Sequence, residues 1–168
     1  MTGRLIIAGK KYSGFSKFGT MVVYSLIIIN KAGGLIYQRD FHDGLNKLSI
    51  NDYLVLAGTF HGVHAITRSL TPHHLLPTFG TSSGTNSTNT GLEVLESTLF
   101  RLTCFQTFTG TKFLLFTEPT QPNVDVIIRK IYELYADYVM KNPFYTVDMP
   151  VRGEKWEREV AGFVRAPR

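Results

Sequence analysis

The clearest pattern in the chain is one broad apolar helix face within residues 123–145. Its apolar positions recur at steps of three and four residues: Val124, Ile127, Ile128, Ile131, Leu134, Tyr135 and Tyr138. The opposite side carries charged residues. Asn123 is expected to cap the first turn through its side-chain oxygen, and Pro143 disfavours helical dihedrals at the residue before it. The pattern therefore predicts a helix from 123 to about 141.

A β-hairpin is predicted near the start of the folded region. Residues 22–29 are rich in β-branched residues and nearly continuous in apolarity, which is typical of a central strand buried on both faces. The Gly33-Gly34 pair supplies turn chemistry, and residues 35–41 return as a second strand.

Three more strands are predicted at residues 92–95, 99–108 and 111–117, with a turn at Thr109-Gly110 between the last two. Residues of 99–108 alternate between two faces, which favours an antiparallel sheet with one face covered by helices. Cys104 then lies mid-strand on the buried face.

A second long helix is predicted from Ser49 or Asn51 to about Thr67, and its apolar residues fall on more than one side. Leu56, Phe60 and Val63 mark one face, whereas Leu54, Val55 and Ile66 lie well around from it. A helix that is apolar on two sides has two surfaces to pack against. Gly58 and Gly62, four residues apart, permit close approach of another backbone. That backbone belongs either to the protein's own sheet or to another subunit.

The remaining segments are simpler. Residues 1–20 hold four basic residues and no acidic one, and we interpret them as a flexible extension of a single domain spanning 21–168. Residues 69–91 are rich in Ser, Thr, Asn, Gly and Pro and predict a flexible loop. Residues 144–151 are expected to be extended, followed by a short amphipathic helix at 154–164 with Trp156 on its apolar side.

No catalytic, cofactor or metal site is indicated. The paired glycines join two strands and no Lys-Ser/Thr follows them, which excludes a P-loop. His73-His74 lacks a third ligand at a useful spacing. Cys104, the single cysteine, has no base nearby in sequence. The unbroken apolar runs, such as residues 26–29, are far too short to span a bilayer.

Specific strings add what periodicity does not. NKAGGLIYQ (30–38), CFQTFTGTKF (104–113) and RKIYELYADYVMKNPFY (129–145), followed by Met149-Pro150, resemble the sybindin-like subunits of the TRAPP vesicle-tethering complex. The resemblance runs from residue 21 to about 152. Animal members carry a PDZ-like insertion between the second strand and the first helix, whereas residues 42–49 are short here. The order of elements and the resemblance together imply an α+β, longin/profilin-like fold: a five-stranded antiparallel sheet with two main helices on one face.

The resemblance also implies a function. It points to a non-enzymatic subunit whose partners are other TRAPP subunits, both longin-like and Bet3-like. The assembled complex would exchange guanine nucleotide on a Rab-type small GTPase. Such a chain is expected to be cytoplasmic, peripheral at cis-Golgi and endoplasmic reticulum membranes through the complex, with no nucleic acid and no cofactor. The alternatives are a stand-alone longin-type adaptor or SNARE-regulating module and, more remotely, an enzyme or a nucleic-acid binder.

Three sets of residues are candidate partner contacts: Val55, Gly58, Gly62 and Ile66 on the first helix, Asn30 and Lys31 at the hairpin tip, and Phe144 and Tyr145 after the last long helix. The helix set is expected to pack against another subunit, because longin-type domains commonly pair through this element. The hairpin residues suit a contact with a subunit or the GTPase, or form an ordinary solvated turn. The aromatic pair either anchors a partner or packs beneath the final segment.

Overall fold

A computed structural model describes residues 22–70 and 91–165, together with the backbone of residues 4–7. In chain order the elements are β1 (Arg4–Ile7), β2 (Val23–Ile29), β3 (Leu35–Asp40), α1 (Ile50–Ser69), β4 (Val94–Ser97), β5 (Arg101–Gln106), β6 (Lys112–Thr117), α2 (Val124–Tyr135), a π-helical turn (Ala136–Met140) and α3 (Glu154–Arg165). Most of the predicted N-terminal extension and of the predicted flexible loop, including His73-His74, lies outside the described residues.

The described strands form one sheet in the order β1-β4-β5-β6-β2-β3. Strands β2 to β6 pair antiparallel throughout, which confirms the predicted five-stranded antiparallel sheet and the α+β, longin-like class. Strand β4 begins two residues later than predicted. Strand β1, which the sequence did not predict, adds a parallel partner along the outer edge of β4.

Helices cover both faces of this sheet. On β2, Leu26 and Ile28 belong to the core beneath α2 and α3, whereas Ile27 and Ile29 belong to the core beneath α1. All four side chains are fully buried. The side chains of a strand alternate between its two faces, so two faces of equal apolarity require a helical layer on each.

The predicted placement of the two main helices on one face is therefore wrong. Helix α1 covers one face alone, while α2 and α3 share the other. The expectation that only one face would be covered relied on β5, where the alternation is clearest. Strands β2 and β6 are buried over nearly their whole length, which one covered face does not allow.

Helix α2 departs from prediction at its N-terminal cap and in its last turn. Asn123 takes a left-handed backbone conformation with φ 55° and makes no side-chain capping bond. Its carbonyl instead accepts the first backbone hydrogen bonds of the helix. At the other end the turn widens into the π-helix Ala136–Met140, closed by a bond from Lys141 N–H to the Ala136 carbonyl. The end near residue 141 is as predicted.

Helix α3 is held by Trp156, which is fully buried, as predicted for the apolar side of this helix. The indole packs edge-on against Tyr37 and Tyr135, with ring centroids 5.4 and 5.8 Å away. Between α2 and α3, residues 141–150 form turns rather than the extended segment predicted. Asp148 takes a positive φ of 70°, which belongs to a turn and not to a strand.

Candidate partner-binding surface

Helix α1 divides sharply into an inner and an outer face. It begins with a capping box in which the Ser49 hydroxyl accepts from the Asp52 N–H, and the Asp52 carboxylate accepts from the Ser49 N–H. The inner face packs on the sheet through four buried residues: Tyr53, Ala57, Phe60 and His64. Twenty residues of helix span about 30 Å, so the outer face is correspondingly long.

The outer face is apolar and uncovered. Val55 is 60% exposed and Ile66 63% exposed. No described atom beyond the helix's own nearby backbone lies within 4 Å of the position that a Cβ would take at Gly58 or Gly62. Four further large apolar residues of this segment are exposed: Ile50, Leu54, Val63 and Leu70.

Charge is absent from most of this face. Asp52 in the first turn and Arg68 in the last are the charged residues of the helix, and none stands between them. A helix face turned to water ordinarily carries charged and polar residues. The outer face of α1 therefore has the composition of a buried surface.

Two histidines of α1, His61 and His64, lie near the buried side chain of Lys112. His64 is 2% exposed, and its Nε2 finds no hydrogen-bond partner among the described residues. Burial first, and then the nearby Lys112, lower the pKa of His64 to about 4. The Nζ of Lys112 lies 3.3 Å from Nδ1 of His61, and burial lowers the pKa of both groups. Both imidazoles are therefore neutral at pH 7.

The core under α1 has a partly exposed margin. Around the buried cluster under α1 lies a ring of only partly buried apolar residues: Tyr24, Leu35, Leu45, Leu56, Leu92, Leu95 and Phe100. A cavity of about 220 Å³ opens between the 41–49 connection and the first turns of α1. Gly44 in that connection lies directly on the Tyr24 ring, where a Cβ would come within 2.0 Å of a ring carbon.

At the hairpin tip, Asn30 and Lys31 behave differently. The Asn30 side-chain oxygen accepts from the backbone N–H groups of Ala32 and Gly34, so this residue holds its own turn together. Gly33 has a φ of 92°, as the turn requires. Lys31 is exposed and has no such internal role. The sequence signal at Asn30 is explained by turn geometry, whereas Lys31 remains a candidate contact.

The two aromatic residues after α2, Phe144 and Tyr145, lie in different environments. Phe144 is 93% exposed, which excludes packing beneath the final segment. Tyr145 packs against the core, and its hydroxyl donates to the Met149 carbonyl at 2.8 Å. Exposed Met140 and Val147 lie close to Phe144 in the chain. Sequence reasoning found the aromatic pair but not these neighbours, which lack any periodic signal.

Cys104 lies mid-strand and buried, as predicted. Burial raises its pKa to about 12, so it is a protonated thiol at neutral pH and a poor nucleophile. Within residues 22–70 and 91–165, no group of three or more His, Cys, Asp or Glu side chains is placed to hold a metal ion.

A comparison with known families decides the relationship of this chain. The profile of the sybindin-like family matches residues 23–167, which is most of the sequence. The chain belongs to the sybindin-like family. This confirms the resemblance carried by the three strings.

The relatives of this sybindin-like chain are named as subunits of the trafficking protein particle complex. Trafficking protein particle complex subunit 4 of Dictyostelium discoideum is 45% identical over 132 residues, covering 79% of this chain and 88% of the relative. The subunit 4 proteins of Bos taurus and Homo sapiens are 40% and 39% identical over 124 residues, or 74% of this chain. The match spans about half, 51%, of those mammalian chains. Subunit 1 of Dictyostelium discoideum is 27% identical over 128 residues.

The residues predicted to contact partners lie in three separate regions of this sybindin-like chain rather than in one site. Val55, Gly58, Gly62 and Ile66 share the outer face of α1 and are all exposed. The glycines do not pack against the protein's own sheet, so that alternative is wrong. None of the described helices is long and apolar enough to cross a membrane.

Proposed function

We propose that this chain is a non-catalytic subunit of a TRAPP-type vesicle-tethering complex, and that a neighbouring subunit packs on the outer face of α1. The observation that carries the proposal is the contrast among the three helices. The outward side of α2 carries Asp125, Arg129, Lys130 and Glu133, and that of α3 is similarly charged. Between Asp52 and Arg68 the outward side of α1 carries no charged residue.

The glycine pair strengthens this reading. A glycine within a helix costs about 0.5–1 kcal/mol relative to alanine. At Gly58 and Gly62 nothing inside the described domain needs the missing side chain, because the Cβ positions are open. A partner backbone that approaches closely at this point is a physical reason for two glycines four residues apart.

The finer part of the proposal concerns what the assembled complex does. We propose that the chain forms part of a multisubunit exchange surface for a Rab-type GTPase acting between endoplasmic reticulum and Golgi. Exchange requires a surface that binds the nucleotide-free GTPase more tightly than the loaded one, and it needs no proton-transfer group. The names of the relatives, subunits of the trafficking protein particle complex, support the membership of a trafficking complex on which this part of the proposal depends. Lys31 and Phe144 are exposed residues on which such contacts would rest.

The test is co-purification of the tagged full-length chain from its native cells, followed by mass spectrometry of the intact complex. We expect other TRAPP-type subunits in fixed stoichiometry, and we expect Gly62→Leu to remove them while the chain stays folded. Gly162→Leu is the matched control, because Gly162 is also a helical glycine with open space around its Cβ position. It should leave assembly intact.

A nucleotide-release assay then addresses exchange. The complex with the wild-type chain should accelerate release from its Rab-type GTPase, and the complex lacking the chain should not. Recovery of the chain alone, or with a SNARE and no TRAPP-type subunit, would instead support a stand-alone longin-type module.

A further inference from the structure

The cavity beside the first turns of α1 lies on the sheet side of that helix. It has a volume of about 220 Å³ and opens between the 41–49 connection and the ends of β2, β3 and β6. Its lining residues from α1 are Tyr53 of the inner face and Leu56, so it is separate from the exposed residues of the outer face. Sites that hold drug-sized ligands measure about 300–1,000 Å³. A cavity of this size therefore suits a single side chain.

The walls of this cavity are fixed by backbone hydrogen bonds and close packing. The Tyr24 carbonyl accepts from the N–H groups of Phe41 and His42, at 2.8 and 3.3 Å. Gly44 lies on the Tyr24 ring, and the capping box at Ser49 holds the other end of the connection. The cavity is therefore part of the folded domain and does not need a ligand to form it.

The interior combines apolar walls with a carboxylate at the rim. Asp40 lines the cavity and is exposed. The Tyr53 hydroxyl donates to this carboxylate and lies 2.9 Å from each of its oxygens. No described residue forms a salt bridge with Asp40. The apolar and aromatic walls include Tyr24, Ile27, Leu45, Tyr53, Leu56 and Phe116.

The charges around the cavity leave Asp40 without a neutralising cation. Lys47 also lines the cavity, but its Nζ lies 3.0 Å from Oδ1 of Asp43, and both side chains are mostly exposed. Burial first, and then the nearby carboxylate of Glu118, raise the pKa of Tyr24. The single ammonium group of Lys47 is therefore outnumbered by carboxylates, in a chain whose net charge is +5.

We propose that this cavity binds the side chain of an arginine presented by a partner protein, with the guanidinium group on Asp40 and the methylene stem against Leu45 and Leu56. A guanidinium group donates two parallel hydrogen bonds to one carboxylate and stacks on aromatic rings such as those lining the cavity. An ammonium group is more strongly hydrated and has no flat face, so lysine should bind less tightly. An apolar side chain would take Asp40 out of water without a partner, and an anion would be repelled.

This site goes beyond the proposed function, because it is a second contact on another part of the chain. Binding of an arginine here does not require a subunit on the outer face of α1, so the two contacts can be tested separately.

An NMR titration of the isotope-labelled full-length chain tests the site. The probe is the blocked peptide acetyl-Gly-Arg-Gly-amide, compared with the same peptide carrying lysine or citrulline, the neutral isostere of arginine. We expect saturable shifts of the backbone amides of residues 40–49 and of Tyr24, with a Kd of about 1 mM for a single side chain. The lysine and citrulline peptides should bind at least about tenfold more weakly.

A pair of matched variants tests the role of the carboxylate. Asp40→Asn should weaken binding of the arginine peptide at least about tenfold, because the amide keeps the size of the carboxylate but not its charge. Asp125→Asn is the control. It removes an equal charge from an exposed residue of α2, on the opposite face of the sheet, and should leave the Kd unchanged. Gly62→Leu on the outer face of α1 should also leave the Kd unchanged.

An arginine peptide that causes no saturable shift at these amides, at concentrations well above millimolar, would overturn the inference. Equal affinity for the arginine peptide and either comparison peptide would also overturn it, and this result does not depend on any variant remaining folded. Failure of the site is separable from failure of the proposed function. A chain that does not bind the peptide but co-purifies with TRAPP-type subunits refutes only the arginine site. A chain that binds the peptide and recovers no such subunit refutes only the proposed function.

Discussion

Replacing Gly58 and Gly62 by alanine should change the stability of the domain and its association with partners in opposite directions. Both glycines lie within α1, and no described atom beyond the local helix backbone lies within 4 Å of either Cβ position. The added methyl groups therefore meet no obstacle inside the domain. Each replacement should stabilise the folded chain, because alanine leaves less backbone entropy to lose on folding.

The magnitude follows from helix propensity. Each glycine costs about 0.5–1 kcal/mol relative to alanine in a helix interior, so the double variant should gain about 1–2 kcal/mol in free energy of unfolding. For a domain of this size, 1 kcal/mol corresponds to about 2–4 °C in Tm. Gly162→Ala on α3 should give half the gain of the double variant, because its Cβ position is equally open.

The assay is urea unfolding followed by far-ultraviolet circular dichroism and by the fluorescence of Trp156, which is buried on the opposite side of the sheet from α1. Protein concentration must be low, since association of the folded state adds concentration-dependent stability. The same variants are then tested for recovery of partner subunits. We expect Gly58→Ala and Gly62→Ala together to reduce recovery strongly, and Gly162→Ala to leave it unchanged.

Two results would refute this reasoning. If the double alanine variant were less stable than the wild type at low concentration, the glycines would be needed inside the domain itself. If it were more stable and still recovered its partners in full, the glycines would lie outside the interface. Equal losses of recovery for the α1 and α3 variants would point to a general effect of stabilisation.

Three further predictions concern other parts of the molecule. Burial holds the pKa of His64 at about 4, below its ordinary 6.5, so the folded state resists protonation of this side chain. The free energy of unfolding should therefore fall by at most about 3 kcal/mol as pH drops from 6.5 to 4. Urea unfolding of His64→Gln should lack this pH-dependent loss, and an equal loss in both proteins would contradict the prediction. Phe144→Ala should change the free energy of unfolding by no more than about 0.5 kcal/mol, because the side chain is exposed. Tyr145→Phe should lower it by about 0.5–1 kcal/mol, because the hydrogen bond to the Met149 carbonyl is lost. Thermal unfolding of both variants checks this, and a loss at Phe144 larger than that at Tyr145 would place Phe144 in the core. Gly44→Ala should cost about 1–3 kcal/mol because its methyl group would overlap the Tyr24 ring, and Tyr24→Ala should remove most of that sensitivity in a double-mutant cycle.

The hydrophobic pattern predicted most strands and helices but not their layering. The nearly continuous apolar run of β2 already implied burial on both faces, and two buried faces require two helical layers. The alternation of β5, where Leu102 and Cys104 face α1, favoured a single covered face instead. Strand β2 is the better guide to the number of layers because it is buried on both faces. Leu26 and Ile28 belong to the core under α2 and α3, and Ile27 and Ile29 belong to the core under α1.

The sequence also identified the glycines of α1 without fixing where they point. Their direction depends on which residues anchor the helix to the sheet, and two of those anchors, Ala57 and His64, carry no strong apolar signal. The π-helical turn was equally hidden, since a widened turn has no periodic signature in sequence. At Asn123 the common capping preference was overridden by a left-handed backbone, a conformation that asparagine tolerates better than most residues.

The layering explains why the interface belongs on α1 rather than on the opposite side. Helices α2 and α3 share one face of the sheet and bury Trp156, Val160 and Ile131 between them and the strands. Helix α1 stands without a second helix on its face among the described residues, over a ring of partly buried apolar residues. A second chain laid along α1 would supply the missing layer. The same asymmetry predicts that association protects amide hydrogens of α1 from exchange far more than those of α2 or α3.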